Sequence, residues 1–272
     1  MPELPEVETV KRALEPVLGG RIIVRTEVFS PDICNGTVGP ISALTGRKIL
    51  HISRRARYII VQLDDGNALV VHLGMTGVIR IETGAVPRRK HEHIFLYLDN
   101  GMIFRFEDVR RFGFLGVYPC SENGLPGRFA LFGPEPLTDE FTADYLYGCS
   151  RGVKRAVKNF IMDNRTVAGI GNIYAAEILF AARIDPRKMA GKLSLAQCRQ
   201  IAIQAKRILQ EAIEAGGTTI ADFRQIDGSE GKFAVSLQIY GKAGKSCPVC
   251  GMELKSVKLS GRSSVFCPKC QR

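Results

Sequence analysis

Cys247-Pro-Val-Cys250 and Cys267-Pro-Lys-Cys270 bracket residues 251–266, sixteen in all, and the spacing of these four thiols decides how the end of the chain folds. Two Cys-x-x-Cys knuckles so separated place four thiolates around one tetrahedral Zn2+, with the bracketed residues folded back as a hairpin. A pair of redox dithiols is the competing reading, and the duplicated spacing in one short stretch speaks against it. Four sulfurs close the coordination sphere. One structural Zn2+ per chain is therefore expected, contributing folding energy and leaving no position for substrate. Catalysis has to come from elsewhere in the chain.

The chain has 272 residues, material for two cores. A hydrophobic fraction of 45% with 24% charged residues describes a globular protein and argues against disorder. No stretch is long and apolar enough to span a bilayer, and the first residues carry carboxylates in place of a basic and then apolar signal, so a soluble intracellular protein is expected. The formal charge of +11 favours a polyanionic partner, nucleic acid being the commonest inside cells. An anionic membrane would require a basic amphipathic helix or a lipidation signal, and the sequence has neither. Cys34, Cys120, Cys149 and Cys198 follow no framework spacing and read as buried free thiols in a reducing compartment.

At the other end, Pro2-Glu-Leu-Pro-Glu-Val-Glu-Thr-Val is followed by Leu14, Val17 and Leu18. With Val7 and Val10 these give an amphipathic helix, stopped by Gly19-Gly20. From Arg21 to about Tyr118, short runs such as Tyr58-Ile-Ile-Val-Gln-Leu and Ala68-Leu-Val-Val-His-Leu alternate with turn signals such as Asp64-Asp-Gly and Asp99-Asn-Gly, the pattern of an antiparallel sandwich or barrel. Breakers gather at Phe132-Gly-Pro-Glu-Pro-Leu, and the apolar spacing is helical from about Thr142 to Ala215. The expected fold class is α+β: a helix plus antiparallel β-sandwich over 1–134, a helical domain over 135–226, and a loop with the zinc ribbon over 227–272.

Once Met1 is removed, which a small second residue permits, Pro2 presents a secondary amine. Such an amine attacks an aldehyde-like carbon and forms an iminium that acts as an electron sink. An α-amino group titrates near ~8, and the positive end of the following helix lowers it further, favouring the neutral nucleophile. Proline also starts helices for structural reasons alone. Glu3 and Glu6 lie one turn apart, able to face one pocket as general acid and base, although acidic residues also stabilise a helix N-terminus by themselves. His91 and His93 alternate on one strand without a third ligand, so no second metal is expected. Gly169-Ile-Gly171-Asn172 lacks the third glycine and the preceding strand of a dinucleotide-binding loop.

Pro2-Glu-Leu-Pro-Glu-Val-Glu-Thr, His72-Leu-Gly-Met-Thr-Gly, Asp108-Val-Arg-Arg-Phe-Gly, Gly169-Ile-Gly-Asn-Ile-Tyr-Ala and the terminal four-cysteine finger occur here in one order. In that order the chain resembles the bacterial formamidopyrimidine-DNA glycosylases over nearly its whole length. The resemblance implies a monomeric base-excision repair enzyme, cytoplasmic and nucleoid-associated, acting on duplex DNA. It would flip out an oxidised purine such as 8-oxoguanine or a formamidopyrimidine, cleave the glycosidic bond and nick the strand by β,δ-elimination. Flipping is required because C1′ is shielded while the base is stacked.

By the same resemblance, Pro2 forms the Schiff base at C1′, Glu3 donates a proton to the sugar and Glu6 supports it. Arg262, at the hairpin tip, binds lesion-strand phosphate and is tied to δ-elimination. Met75, Arg110 and Phe112 fill the void left by the base, an apolar wedge with an arginine on the orphaned partner. His91, Arg151, Lys154, Lys158 and Asn172 contact DNA, Asn172 within a helix-two-turn-helix element, and duplex DNA lies in a basic cleft between the domains. His93 and His72 are structural.

Three positions depart from the family pattern. Arg57 stands where lysine is usual, and a guanidinium holds phosphate but gives up no proton. Ala221 replaces a frequent lysine and Asn159 a frequent proline, which bears on lesion preference more than on reaction class. An endonuclease VIII-like pyrimidine glycosylase is the nearer alternative, disfavoured by Leu4, Val7 and the Met75, Arg110, Phe112 set. A noncatalytic zinc-ribbon DNA-binding protein is the farther one.

Overall fold

The computed structural model describes residues 1–34, 39–84, 86–121, 124–218 and 236–272. Ala221 and the polar stretch 227–232 lie outside them. The chain forms two compact units, one of Met1–Ala130 with Ala215–Lys232, the other of Leu131–Glu214 with Phe233–Arg272.

The first unit opens with α1, Leu4–Leu18, whose Leu4, Val7, Val10, Leu14 and Leu18 are buried. That one-sided spacing is why the segment is helical: the apolar stripe finds a core and the charged face stays in water. Eight strands follow: β1 Ile23–Val28, β2 Ile49–Arg55, β3 Tyr58–Leu63, β4 Asn67–His72, β5 Gly77–Thr83, β6 Glu92–Leu98, β7 Met102–Asp108 and β8 Phe114–Pro119. They make two antiparallel four-stranded sheets, β1-β6-β7-β5 and β2-β3-β4-β8, a sandwich rather than a closed barrel. One core joins them, with Ile59, Val71 and Leu115 from one sheet meeting Ile94, Leu96 and Phe106 from the other, and Val10 and Leu14 of α1 packed in.

Two sheet-to-sheet crossings lie side by side. The connection β4–β5 leaves the ladder at His72↔Phe114 and enters the other at Gly77↔Asp108, and β7–β8 makes the reverse journey between the same two pairs. The Met75 and Arg110–Phe112 segments are these crossings.

In the second unit, α2 spans Ala143–Ser150, α3 Val157–Ile161, α4 Asn172–Ala181 and α5 Leu195–Glu214. The α3–turns–α4 segment is the helix-two-turn-helix. Residues Ile173 to Phe180 of α4 are all buried, as expected of a helix that is apolar around nearly its whole circumference, with Glu177 the one acid inside it. By contrast α5 buries one stripe, including Cys198, Ile201, Ala205 and Leu209.

The terminal hairpin pairs β9, Lys255–Leu259, with β10, Arg262–Phe266. Its two turn residues, Ser260 and Gly261, have φ of 46° and 78°, the left-handed pair that matches the twist of a tight hairpin. The hairpin shares a core with α4, Leu254 and Val265 packing with Ala176 and Phe180. Of the four scattered cysteines, expected to be buried, only Cys198 is fully so, and burial pushes its thiol up to about 11. Cys149 is exposed because α2 turns only Leu146 and Ser150 inward. Among the described residues no helix is long and apolar enough to cross a membrane.

Buried Glu177 of α4 holds the segment leading to the finger, accepting the backbone N–H groups of Gln238, Ile239 and Tyr240 at 2.8, 3.0 and 2.8 Å. Glu177→Gln keeps the shape but turns an NH2 toward one of these donors. It is expected to lower stability by about 2 kcal/mol, the cost of an unsatisfied buried donor, in urea unfolding. An unchanged curve would show that the amides find other acceptors.

Candidate active site

Glu3 is the N-cap of α1, in extended conformation, and it forms a reciprocal capping box with Glu6. Glu6 Oε2 accepts the Glu3 N–H at 2.8 Å, and its Oε1 accepts the Thr218 N–H at 2.7 Å. A side chain at Gly217, whose φ is +81°, would come within 3.1 Å of Glu6. Both carboxyl groups are buried, and so is Pro2, whose nitrogen lies in the Met1–Pro2 peptide bond. Two carboxylates facing one pocket were expected. The placement differs for Glu6, whose oxygens are engaged by main chain, so that it fixes Glu3 and residues 217–218 in place.

Arg57 sits half-buried in the two-residue turn between β2 and β3, next to Ala56, whose φ is 53°. The turn is tied to α1 through Arg54, which donates to Glu8 at 2.9 Å and to the Ala56 carbonyl at 2.9 Å. His72 stands against this corner, its ring 4.8 Å from Tyr58 and 5.7 Å from Phe114. Its Nδ1 accepts the Gly74 N–H at 3.2 Å, and it also hydrogen-bonds the Phe112 backbone. Burial, reinforced by the Arg57 and Arg128 charges, pulls its pKa down to about 4. A neutral imidazole therefore links the two crossings.

The crossings end in exposed side chains that a folded protein ordinarily hides. Met75 is 38% and Phe112 56% accessible, with the Arg110 guanidinium 4.7 Å from the Phe112 ring centroid. The Arg110 and Gly113 N–H groups and the Thr76 hydroxyl, on the same two loops, donate to Asp108, a buried residue the motif contains but to which the sequence alone assigns no role. The only signal was its position two and five residues before turn amides, which short acidic side chains favour. His91 is half-exposed just before β6. His93 is buried as a structural residue, its ring nitrogens 2.9 Å from Ser30 Oγ and 2.8 Å from the Asp108 carbonyl.

In the second unit, Asn172 opens α4 after the N-cap Gly171, and its Oδ1 is buried with no hydrogen-bond partner among the described residues. Lys154 is exposed. Arg151 is exposed too, but donates to the Leu193 carbonyl at 2.7 Å, closing the end of α2. Lys158, expected as a DNA contact, is 1% exposed: its Nζ donates to Ser263 O at 3.1 Å and Ser264 Oγ at 2.8 Å. It therefore braces β10, whose first residue is the exposed Arg262.

The four finger sulfurs lie within 4.8 Å of one another, Cys247 to Cys270 at 3.9 Å and Cys250 to Cys267 at 3.5 Å. Thiols are weak donors and gain little from such crowding. Burial and the neighbouring thiols push Cys270 up to about 12, so thiolates collect here only around a cation. The donor set fits a closed structural zinc site.

Three family profiles match in chain order: Formamidopyrimidine-DNA glycosylase N-terminal domain over residues 1–115, Formamidopyrimidine-DNA glycosylase H2TH domain over 132–224, and Zinc finger found in FPG and IleRS over 244–272. A formamidopyrimidine-DNA glycosylase of Alcanivorax borkumensis is 46% identical with 100% of each chain covered, and one from Pasteurella multocida is 43% identical over the same full lengths. Among solved structures, a Lactococcus lactis Fpg in complex with abasic-site DNA matches with a TM-score of 0.91 at 35% identity, covering 100% of both chains. A Lactococcus lactis variant bound to Fapy-dG-containing DNA gives 0.90 at 35% identity and the same coverage.

Two outcomes follow from this geometry. Stripping zinc with a strong chelator, or replacing Cys250 by Ser, is expected to unfold the hairpin, read as loss of one zinc per chain by elemental analysis with loss of protease resistance around residues 244–272. Retained resistance would separate the finger's fold from its metal. For His72, an unfolded chain takes up a proton near 6.5 while the folded one resists until about 4, so stability falls as pH drops through that window and is unaffected above it. His72→Gln should flatten this part of a plot of melting temperature against pH, and an unaltered slope would assign the loss to other groups.

Proposed function

The chain belongs to the formamidopyrimidine-DNA glycosylase family, and from that premise we propose that it excises oxidised purines from duplex DNA and nicks the strand at the resulting site. The observation that carries this reading is the placement of Pro2 and Glu3 together at the N-terminal end of α1. After Met1 removal the prolyl amine stands at the positive end of a helix dipole, which disfavours its protonated form. The neutral nitrogen attacks C1′ of the flipped nucleotide, the bond from C1′ to the base breaks, and the base leaves with a proton. Glu3 supplies the proton that lets the sugar ring open to the iminium, and its buried carboxyl is held in register by Glu6.

The iminium draws electrons from C2′, so loss of a C2′ proton expels the 3′ phosphate. A second elimination expels the 5′ phosphate and leaves a one-nucleotide gap. Arg57 and Arg262 hold phosphates through charge-assisted hydrogen bonds, with Arg262 assisting the second elimination. Arg57 serves as a clamp, because a guanidinium keeps its proton. Met75, Phe112 and Arg110 occupy the emptied stack and meet the orphaned base. Asn172 at the start of α4, Lys154, Arg151 and His91 contact the backbone, while Lys158 acts indirectly by bracing the strand of Arg262.

Borohydride trapping tests the chemistry directly. Protein whose mass shows Met1 removed is expected to cross-link to duplex DNA carrying an abasic site or 8-oxoguanine, and protein that retains Met1 is expected not to. Equal trapping and nicking by the two forms would defeat the proposal, and tight binding without any cross-link would point to a DNA-binding protein that performs no catalysis.

A further inference from the structure

We infer that Asp108, acting with Thr76, is the positioning residue that presents the Met75, Arg110 and Phe112 wedge as one rigid unit. The inference rests on the proposed role of those three side chains. At the paired crossings both sheet ladders run out, His72↔Phe114 being the last pair of one and Gly77↔Asp108 the last of the other. Beyond them the backbone groups need acceptors that no strand supplies.

The Asp108 side chain supplies them. Its Oδ1 accepts the Thr76 hydroxyl at 2.5 Å and the Arg110 N–H at 3.2 Å, and its Oδ2 accepts the Gly113 N–H at 2.7 Å. Thr76 Oγ1 in turn accepts the same Arg110 N–H at 3.0 Å. One carboxylate and one hydroxyl thus join the loop carrying Met75 to both flanks of the loop carrying Arg110 and Phe112. The loops are also in direct backbone contact: a Cβ on Gly74, whose φ is +61°, would lie 2.3 Å from Gly113 N.

Asp108 is itself held on its main-chain side. It is 0% exposed, its N–H donates to the His91 carbonyl at 3.0 Å, and its carbonyl lies 2.8 Å from His93 Nε2. The half-exposed His91, a proposed DNA contact, is therefore anchored to the same residue. The contrast between a fully buried, fully bonded base and solvent-exposed Met75 and Phe112 is that of a wedge on a fixed mount. Inserting side chains from a mount already ordered avoids losing loop entropy at the moment the base leaves the stack.

Thr76→Val removes the hydroxyl at nearly constant shape, and Thr76→Ser retains it. Single-turnover release of 8-oxoguanine is measured beside borohydride trapping on a preformed abasic site, with 2-aminopurine fluorescence next to the lesion reporting wedge insertion and thermal unfolding reporting the fold. In Thr76→Val we expect 8-oxoguanine release and the fluorescence transient to slow together by about tenfold or more, as misplacement of a positioned group does. Trapping on the preformed abasic site should stay close to wild type, and Thr76→Ser should recover all readouts.

Met75→Ala is the control for the wedge itself. If it slows the fluorescence transient while Thr76→Val leaves it at the wild-type rate, the mounting role is overturned and the wedge reading stands. If Thr76→Val lowers release, trapping and melting temperature in parallel, the contact is merely structural and the inference fails. An unchanged transient in Met75→Ala removes the wedge reading, and the mount with it.

Discussion

The Glu6 carboxylate is the constraint around which the first unit is organised. One oxygen takes the backbone of Glu3 and the other the backbone of Thr218, 212 positions away. The start of the chain is thereby fixed at a helix terminus whose own amides would otherwise lack partners. A chain terminus is usually among the most mobile parts of a protein. Here it is immobilised by a buried acid, and α1 keeps that acid buried because Leu4, Val7, Val10 and Leu14 commit the helix to the sandwich core.

The same device recurs twice more. Glu6, Asp108 and Glu177 are all buried, and each accepts main-chain N–H groups where regular structure stops: at the start of α1, at the sheet crossings, and at residues 238–240 ahead of the finger. A carboxylate is suited to this because its two oxygens accept several donors at once, and charge-assisted bonds to amides are stronger than neutral ones. Irregular backbone gains the definition of a sheet without needing a strand. The zinc site does the equivalent work for the hairpin, where a chain segment of under thirty residues is too short to hold itself together by apolar burial alone.

Side chains read as functional from type and motif divide accordingly. Pro2 and Glu3 are buried at the start of α1, and Met75, Phe112 and Arg110 are exposed on adjoining loops. Lys158 shows the limit of such reading. In sequence it is one cation of a basic run, yet its ammonium is inside, bonded to residues more than a hundred positions away. Glu6 likewise reads in sequence only as an acid one turn from Glu3, and the fold shows its oxygens bonded to the Glu3 and Thr218 backbones. His93 is buried between Ser30 and Asp108 with no outward face, whereas His91 is half-exposed.

The residues themselves determined what depends on near neighbours and on covalent chemistry. The α1 stripe, the strand alternation of Tyr58–Leu63, the left-handed turn at Gly261 and the four-thiol zinc site are local, because periodicity, φ preference and ligand spacing are set within a few positions. The tertiary structure alone decided which acids accept main-chain N–H groups, which lysine is solvated, and that two loops 35 positions apart both bond to Asp108. Those properties are set by where hydrogen-bond donors go unsatisfied when sheets end. That position depends on how distant strands pair, which no local pattern encodes.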